Sequence, residues 1–256
     1  MELGLKDKVV VITGGATGIG KAAALSFARE GCKLAICGRS PKKLSLAELE
    51  FRQAGFPLLT KTADASKNDE LVALAEAVDE RYGQIDIWVN NAGIYPQKAL
   101  MDMSESEWQD VMNINLKSVF LGSKIAFSYM KERKKGVILN AESFASLIPS
   151  AGSGAYAVSK VGISWLTKVL AAELAPYNIR VNGYIPGLIK TDITEGVIEG
   201  KEGWFSDQVA LNRLGVPDDL AGGIVFLASD AASYITGTHL EISGGKLCVQ
   251  NPHYSW

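Results

Sequence analysis

The chain has 256 residues, of which 47% are hydrophobic and 21% charged, and a net charge of −2 at neutral pH. That length can bury the core of a single α/β domain, and the interspersed charges leave no footprint for nucleic acid or an anionic membrane surface. Cys32, Cys37 and Cys248 are odd in number and lack metal-ligand spacing, no apolar run reaches the ~20 residues that span a bilayer, and the opening MELGLKDK has no signal-peptide core. The expectation is a protein of the reducing cytoplasm with no metal site.

Residues 9–12 read as a buried β-branched strand, 13–20 as a glycine-rich loop and 21–28 as a helix, the setting in which backbone amides cradle a phosphate. Gly14 permits the tight turn, while Gly18 and Gly20 let backbone approach a pyrophosphate and let the helix pack on the strand. Taken alone, the same pattern fits an ordinary structural turn equally well. Strands at 33–37 and 57–62 flank a helix at 41–54 that opens on Pro41, and a helix at 67–82 leads to an apolar strand at 85–89. Residues 104–133 read as a long helical segment opened by a capping box of Ser104 and Glu107. A strand at 136–141, a helix at 155–176 and a strand at 179–185 continue the alternation. Right-handed crossovers then predict a doubly wound parallel sheet of the Rossmann type, in one domain spanning 1–256. The rhythm breaks at 191–213, where Gly196, Gly200 and Gly203 lie among charges and the aromatics Trp204 and Phe205. This stretch reads either as a substrate lid or as a surface helical hairpin whose aromatics pack down.

The chemistry concentrates in residues 136–160. Tyr156 and Lys160 are four apart on a predicted helix, so they share a face, and an ammonium beside a phenol lowers its pKa. Bringing a phenol from ~10 toward neutrality takes roughly 4 kcal/mol of preferential stabilisation of the phenolate. Ser143 follows the apolar run at 137–139 and is expected at a strand end, within reach of the same substrate oxygen. Such a serine and tyrosine polarise a carbonyl and deliver a proton to it. No side chain donates hydride, so a cofactor must, and the glycine-rich loop offers its site.

These stretches together resemble the short-chain dehydrogenase/reductase family, through TGGATGIG at 13–20, NNAG at 90–93 and YAVSK at 156–160. Asn115 in NINL, Ser143, IRVNGYIPG at 179–187, Thr191 and the pair Gly244 and Gly245 extend the match over nearly the whole chain. The resemblance implies that Tyr156 is the general acid/base, that Lys160 lowers its pKa and holds the nicotinamide ribose, that Ser143 orients the carbonyl and that Asn115 positions a water for proton relay. It implies a cofactor site built from Gly14, Thr17, Gly18, Ile19, Gly20, Arg39, Ser40, Asp64, Ala65, Asn91, Ala92, Gly93, Pro186, Gly187 and Thr191, together with Tyr156 and Lys160. Asp64 is expected on the adenine, or alternatively as a turn or cap residue at a strand end. Asn90 is assigned to the adenosine end of the cofactor, its alternative being to fix the loop backbone. Thr191 is expected on the nicotinamide carboxamide, or as the N-cap of the next helix with Asp192 competing for that cap. Glu142 stands where the family often has a second small hydroxyl residue. Strand alternation turns it away from Ser143, toward a structural or subunit contact. His239 and His253 fall outside any triad or metal pattern and read as surface or interface residues.

The implied protein is an NAD(P)-dependent oxidoreductase that interconverts a secondary alcohol and a ketone. A 3-oxoacyl thioester, a sugar or polyol, and a hydroxysteroid all suit a pocket drawn from Ile94, Tyr95, Leu147, Leu188, Trp204 and Phe205. The rivals are a reductase of carbon–carbon double bonds with the same fold and a non-catalytic nucleotide sensor, which would lack Tyr156 or Lys160. Gly38 leaves room at the adenine ribose, while Arg39 and Ser40 offer charge-assisted and hydroxyl contacts to a 2′-phosphate, so NADP is preferred over NAD. Against this, Thr17 is not the additional basic residue of many NADP-preferring relatives, and Arg39 also fits a solvated loop. The resemblance further implies a homotetramer formed through the helices at 104–133 and 155–176. The apolar tail at 247–256 predicts that Tyr254 and Trp256 dock on a neighbouring subunit.

Overall fold

A computed structural model describes residues 2–248. His253, Tyr254, Trp256 and the predicted docking of the tail lie outside the described residues. The β-branched run Val9–Thr13 is buried on both faces and forms the central strand β1, and α1 follows at Gly18–Arg29. Then come β2 (Lys33–Gly38), α2 (Pro41–Gln53), β3 (Leu58–Thr62), α3 (Asn68–Tyr82) and β4 (Ile87–Asn90). Further on lie α4 (Glu105–Val111), α5 (Ser118–Met130), β5 (Gly136–Ala141), α6 (Gly154–Leu174) and β6 (Ile179–Pro186). The short helices α7 (Glu195–Ile198) and α8 (Glu202–Ser206) precede α9 (Pro217–Ala228) and β7 (His239–Ile242). Among the described residues, seven strands run parallel in the order β3-β2-β1-β4-β5-β6-β7. The order reverses between β1 and β4, and at such a switch point a cleft opens beyond the strand ends.

Period-two alternation divides the core between two faces. Val10 and Ile12 of β1 pack with Phe27 of α1, Phe51 of α2 and Ile224 of α9. Val9 and Val11 face Leu74 of α3, Ile125 of α5 and Leu174 of α6. Each such side chain, fully buried, contributes about 1.5–3 kcal/mol relative to exposure. Cys32 and Cys37 belong to these faces, and burial pushes both thiols up to about 12, whereas Cys248 is exposed. Among the described residues no helix is long and apolar enough to cross a membrane.

The segment expected as continuous helix is divided. Ser104 and Glu107 form the predicted capping box, but a π-turn at Met112–Lys117 interrupts the run between α4 and α5. The wider turn is stabilised locally, since Ser118 Oγ donates to the carbonyl of Ile114, and it turns Asn115 fully inward. The other boundaries shift by only a few residues. β4 begins at Ile87 rather than at residue 85, and α1 begins at Gly18, three residues earlier than its composition suggests.

Candidate active site

One cavity of about 640 Å³ runs along the strand ends, from the tip of β2 past β1, β4 and β5 to the segment after β6. Gly14 and Gly18 have φ of +66° and +53°, a region that favours glycine. A Cβ on Gly14 would stand 3.0 Å from Ala92 Cα, and one on Gly18 would stand 3.3 Å from Thr191 Cγ2. The loop therefore lies against both neighbouring segments without side chains between. Gly20 does not line the cavity; a Cβ there would overlap the Gly14 carbonyl oxygen, so it serves helix-to-strand packing.

Asn91 fastens the loop. Its Nδ2 donates to the carbonyls of Thr13 and Gly14, each at 3.1 Å, and its Oδ1 accepts from Tyr184 Oη at 3.1 Å. Thr13 Oγ1 in turn accepts from the N–H groups of Asn91 and Ala92. Asn90, assigned above to the cofactor, is instead a core residue. It accepts from Trp88 Nε1 and donates to Ser123 and Asn140, because its place inside β4 turns the side chain away from the cleft. Tyr184, which motif reading did not single out, is the hydroxyl partner of Asn91, in a strand that also carries Arg180 and Asn182.

At the far end of the cavity Gly38 has open space where a Cβ would be, Arg39 is exposed at the rim and Ser40 caps α2 by accepting from Lys43 N. Asp64 lines the same end while its Oδ1 accepts from Ser66 N and Oγ, so it is both a lining residue and a turn residue. Burial pushes its carboxyl upward, and the bonds from Ser66 together with the charges of Arg39 and Lys67 outweigh burial and bring it below the usual range. Lys43, also missed, lines the wall and pairs across the cleft with Asp192 at 2.7 Å. Thr191 faces the glycine-rich loop, and Thr194 rather than Thr191 or Asp192 is the residue preceding α7. Thr17, Ile19, Ala65, Ala92, Gly93, Pro186 and Gly187 all line the cavity, as expected.

Ser143, just beyond β5, is 5% exposed and accepts from Ala145 N, while its hydroxyl is directed at the Tyr156 phenol. Tyr156 near the start of α6 meets the edge of Tyr95 with ring centroids 4.6 Å apart. Burial pushes the phenol up to about 12, the Ser143 hydroxyl acts against that shift, and Tyr95 adds to it. Lys160, 4% exposed, donates from Nζ to the carbonyl of Ala141 at 2.7 Å and lies 5.5 Å from the centroid of the Tyr156 ring. Burial pushes this ammonium down to about 8, opposed by Glu142. In this geometry the ammonium bonds Ala141, and the Ser143 hydroxyl is the group that acts against the upward shift of Tyr156. Asn115 is fully buried in the π-turn. Its Oδ1 accepts from Ile94 N, and its amide protons go to Ile94 O and Ser159 Oγ, so it orders the loop carrying Tyr95 and is absent from the cavity wall.

Glu142 faces away from Ser143, as alternation predicts, and makes an intrachain contact with His239 and Ser164. His239 is accordingly no surface residue. Ile94, Tyr95, Leu188, Trp204 and Phe205 line this end of the cavity, but Leu147 does not, and its equally exposed neighbour Ile148 lines it instead.

Residues 14–246 match the family model described as Enoyl-(Acyl carrier protein) reductase. The chain is 40% identical over 243 residues to the 3-oxoacyl-(acyl-carrier-protein) reductase FabG of Thermotoga maritima, covering 94% of this chain and 98% of the relative. It is 38% identical over 245 residues to the 3beta-hydroxysteroid dehydrogenase 1 of Eggerthella lenta, with 94% of each chain covered. The solved structure of a short-chain type dehydrogenase/reductase from Mycobacterium marinum superposes with a TM-score of 0.92 at 34% identity, covering 96% of this chain and 98% of that one.

Proposed function

Because the chain belongs to the short-chain dehydrogenase/reductase family and is an oxidoreductase of it, we propose that it reduces a ketone to a secondary alcohol with NADP(H). The observation that carries this reading is the meeting of Ser143 and Tyr156 on one cavity wall with the glycine-rich loop at its other end. Ser143, an acceptor from Ala145 N with its hydroxyl directed at the phenol, would turn its proton to a carbonyl oxygen that enters between them. Tyr156, held protonated by burial, arrives as the acid that reduction requires. Gly14, Gly18 and Thr17 would hold the pyrophosphate, Lys160 the nicotinamide ribose, Thr191 the carboxamide, and Arg39 with Ser40 the 2′-phosphate. When bound, the nicotinamide supplies the hydride. Residues 191–213 close the substrate end as a lid, with Trp204 and Phe205 as its inner face, in a single domain spanning 1–256. The long apolar side chains Phe120, Trp165 and Val169, exposed on α5 and α6, support assembly into a homotetramer through that face.

The first substrate to test is a 3-oxoacyl thioester, in view of the relative from Thermotoga maritima. A second reading, reduction of an enoyl thioester, is favoured by the description of the family model. Cofactor absorbance followed against 3-oxoacyl thioesters, steroid ketones and enoyl thioesters separates the readings. Turnover of the enoyl thioester alone, surviving in Tyr156→Phe, would overturn carbonyl reduction.

A further inference from the structure

One buried carboxylate beside the reacting groups is used by none of these steps. Glu142 directly follows β5, its side chain is wholly buried, and three elements converge on it. Ser164, one turn beyond Lys160 on α6, donates from Oγ to Oε2 at 2.6 Å, and His239, the first residue of β7, places Nδ1 2.7 Å from Oε1. The His239 Nε2 is buried with no hydrogen-bond partner among the described residues. Space is reserved for the carboxylate, because any Cβ at Gly183 on β6 would overlap Glu142 Oε1. A second tie lies one residue earlier, where Lys160 Nζ donates to the Ala141 carbonyl. The helix presenting Tyr156 is therefore fastened at two successive residues to the strand end presenting Ser143.

A carboxylate is buried at a large desolvation penalty unless it is hydrogen-bonded and paired, and the ammonium of Lys160 is the catalytic-site cation it acts on. The titratable groups around Lys160 are Tyr156 on its own helix, Tyr95 from the loop after β4, Glu142 beyond β5 and, behind Glu142, His239 of β7. Asn115 of the π-turn carries no charge. We propose that Glu142 is a positioning residue for the reaction, holding Lys160 charged and keeping α6 in register with Ser143 through Ser164 and His239. This rests on the role assigned to Lys160 above.

Glu142→Gln preserves the shape while removing the charge: its amide oxygen still accepts from Ser164 Oγ, and its NH2 faces His239 Nδ1, which then serves as acceptor. Loss of a nearby opposite charge lowers a lysine pKa by about one unit or more, so the alkaline limb of kcat/KM moves to lower pH by about that amount. The variant-to-wild-type ratio then falls about sixfold between about pH 6.5 and 8.5. Glu142→Asp, which keeps the charge, leaves the limb within about 0.3 unit of wild type. Ser164→Ala breaks the tie from α6 without altering charge, and lowers kcat about three- to tenfold with unchanged cofactor Kd. An unmoved limb in Glu142→Gln, or a wild-type kcat in Ser164→Ala, overturns the proposal, and the second variant decides it if the first does not fold. Lys160→Ala separates the two levels of the argument: if it keeps full turnover, the catalytic reading fails, whereas an inactive Lys160→Ala beside an unmoved limb sinks the Glu142 assignment alone.

Discussion

The glycine-rich wall of the cleft is fastened by buried hydrogen bonds from Asn91 and Thr13, whereas the wall made by residues 191–208 rests on two helices of four and five residues. Across the gap the second wall has the ion pair of Lys43 and Asp192, whose side chains are 51% and 56% exposed, a geometry worth only ~0–1 kcal/mol. Its aromatic pair, Trp204 on Phe205 with centroids 4.8 Å apart, leaves Trp204 64% exposed. The difference teaches how the proposed function divides the cleft: the preorganised side would hold the constant ligand, and the adjustable side would meet substrates that differ. Local opening is drawn from segments with few buried contacts, and only the second wall has that character.

The largest effect is expected at the junction of the two walls. Tyr156→Phe should lower kcat by about 10²–10⁴-fold while nucleotide affinity stays within about twofold, measured by single-turnover kinetics and fluorescence titration. Near wild-type turnover in this variant would remove the acid from the mechanism. On the fastened wall, Asn91→Ala leaves the buried Tyr184 hydroxyl and the Thr13 and Gly14 carbonyls short of partners. It should cost about 2–4 kcal/mol of stability in denaturant unfolding and weaken nucleotide binding at least about tenfold. Stability unchanged within error would mean that the loop needs no such fastening. At the rim of that wall, Arg39→Ala removes one charge-assisted contact of about 1.5–3 kcal/mol, shifting the kcat/KM ratio of NADP to NAD roughly ten- to a hundredfold toward NAD. An unmoved ratio would show that Arg39 does not read the phosphate. The smallest effect belongs to the loose wall, where Trp204→Ala should raise KM for a bulky ketone about fivefold and change unfolding free energy by less than about 1 kcal/mol. A stability loss as large as that of Asn91→Ala would abolish the contrast.

How much of this could be read beforehand depends on the kind of signal. The strand pattern was legible because parallel strands buried on both faces write themselves as unbroken runs such as Val9–Thr13. Gly14 and Gly18 were legible because glycine adopts positive φ at the least cost. The division of the expected long helix was not, since a π-turn adds one residue to a helical pattern without any composition of its own. Asn90 and Asn91 are adjacent and chemically identical, yet the pleat sends one into the core and the other onto the loop, and no local feature told which. Likewise the pull of Lys160 on Tyr156 followed from spacing alone, while the carbonyl of Ala141, distant in sequence, is what receives the ammonium.

Three thiols that look equivalent in a residue count are unequal in the folded chain. With Cys32 and Cys37 buried and their thiols pushed up to about 12, a thiol-directed reagent meets Cys248 alone among them. Cys248 stands two residues beyond Lys246, which lines the cleft and bonds Gln208 after α8. A dye attached there would make the native protein its own reporter of how the substrate wall responds to ligands, with no engineered label site.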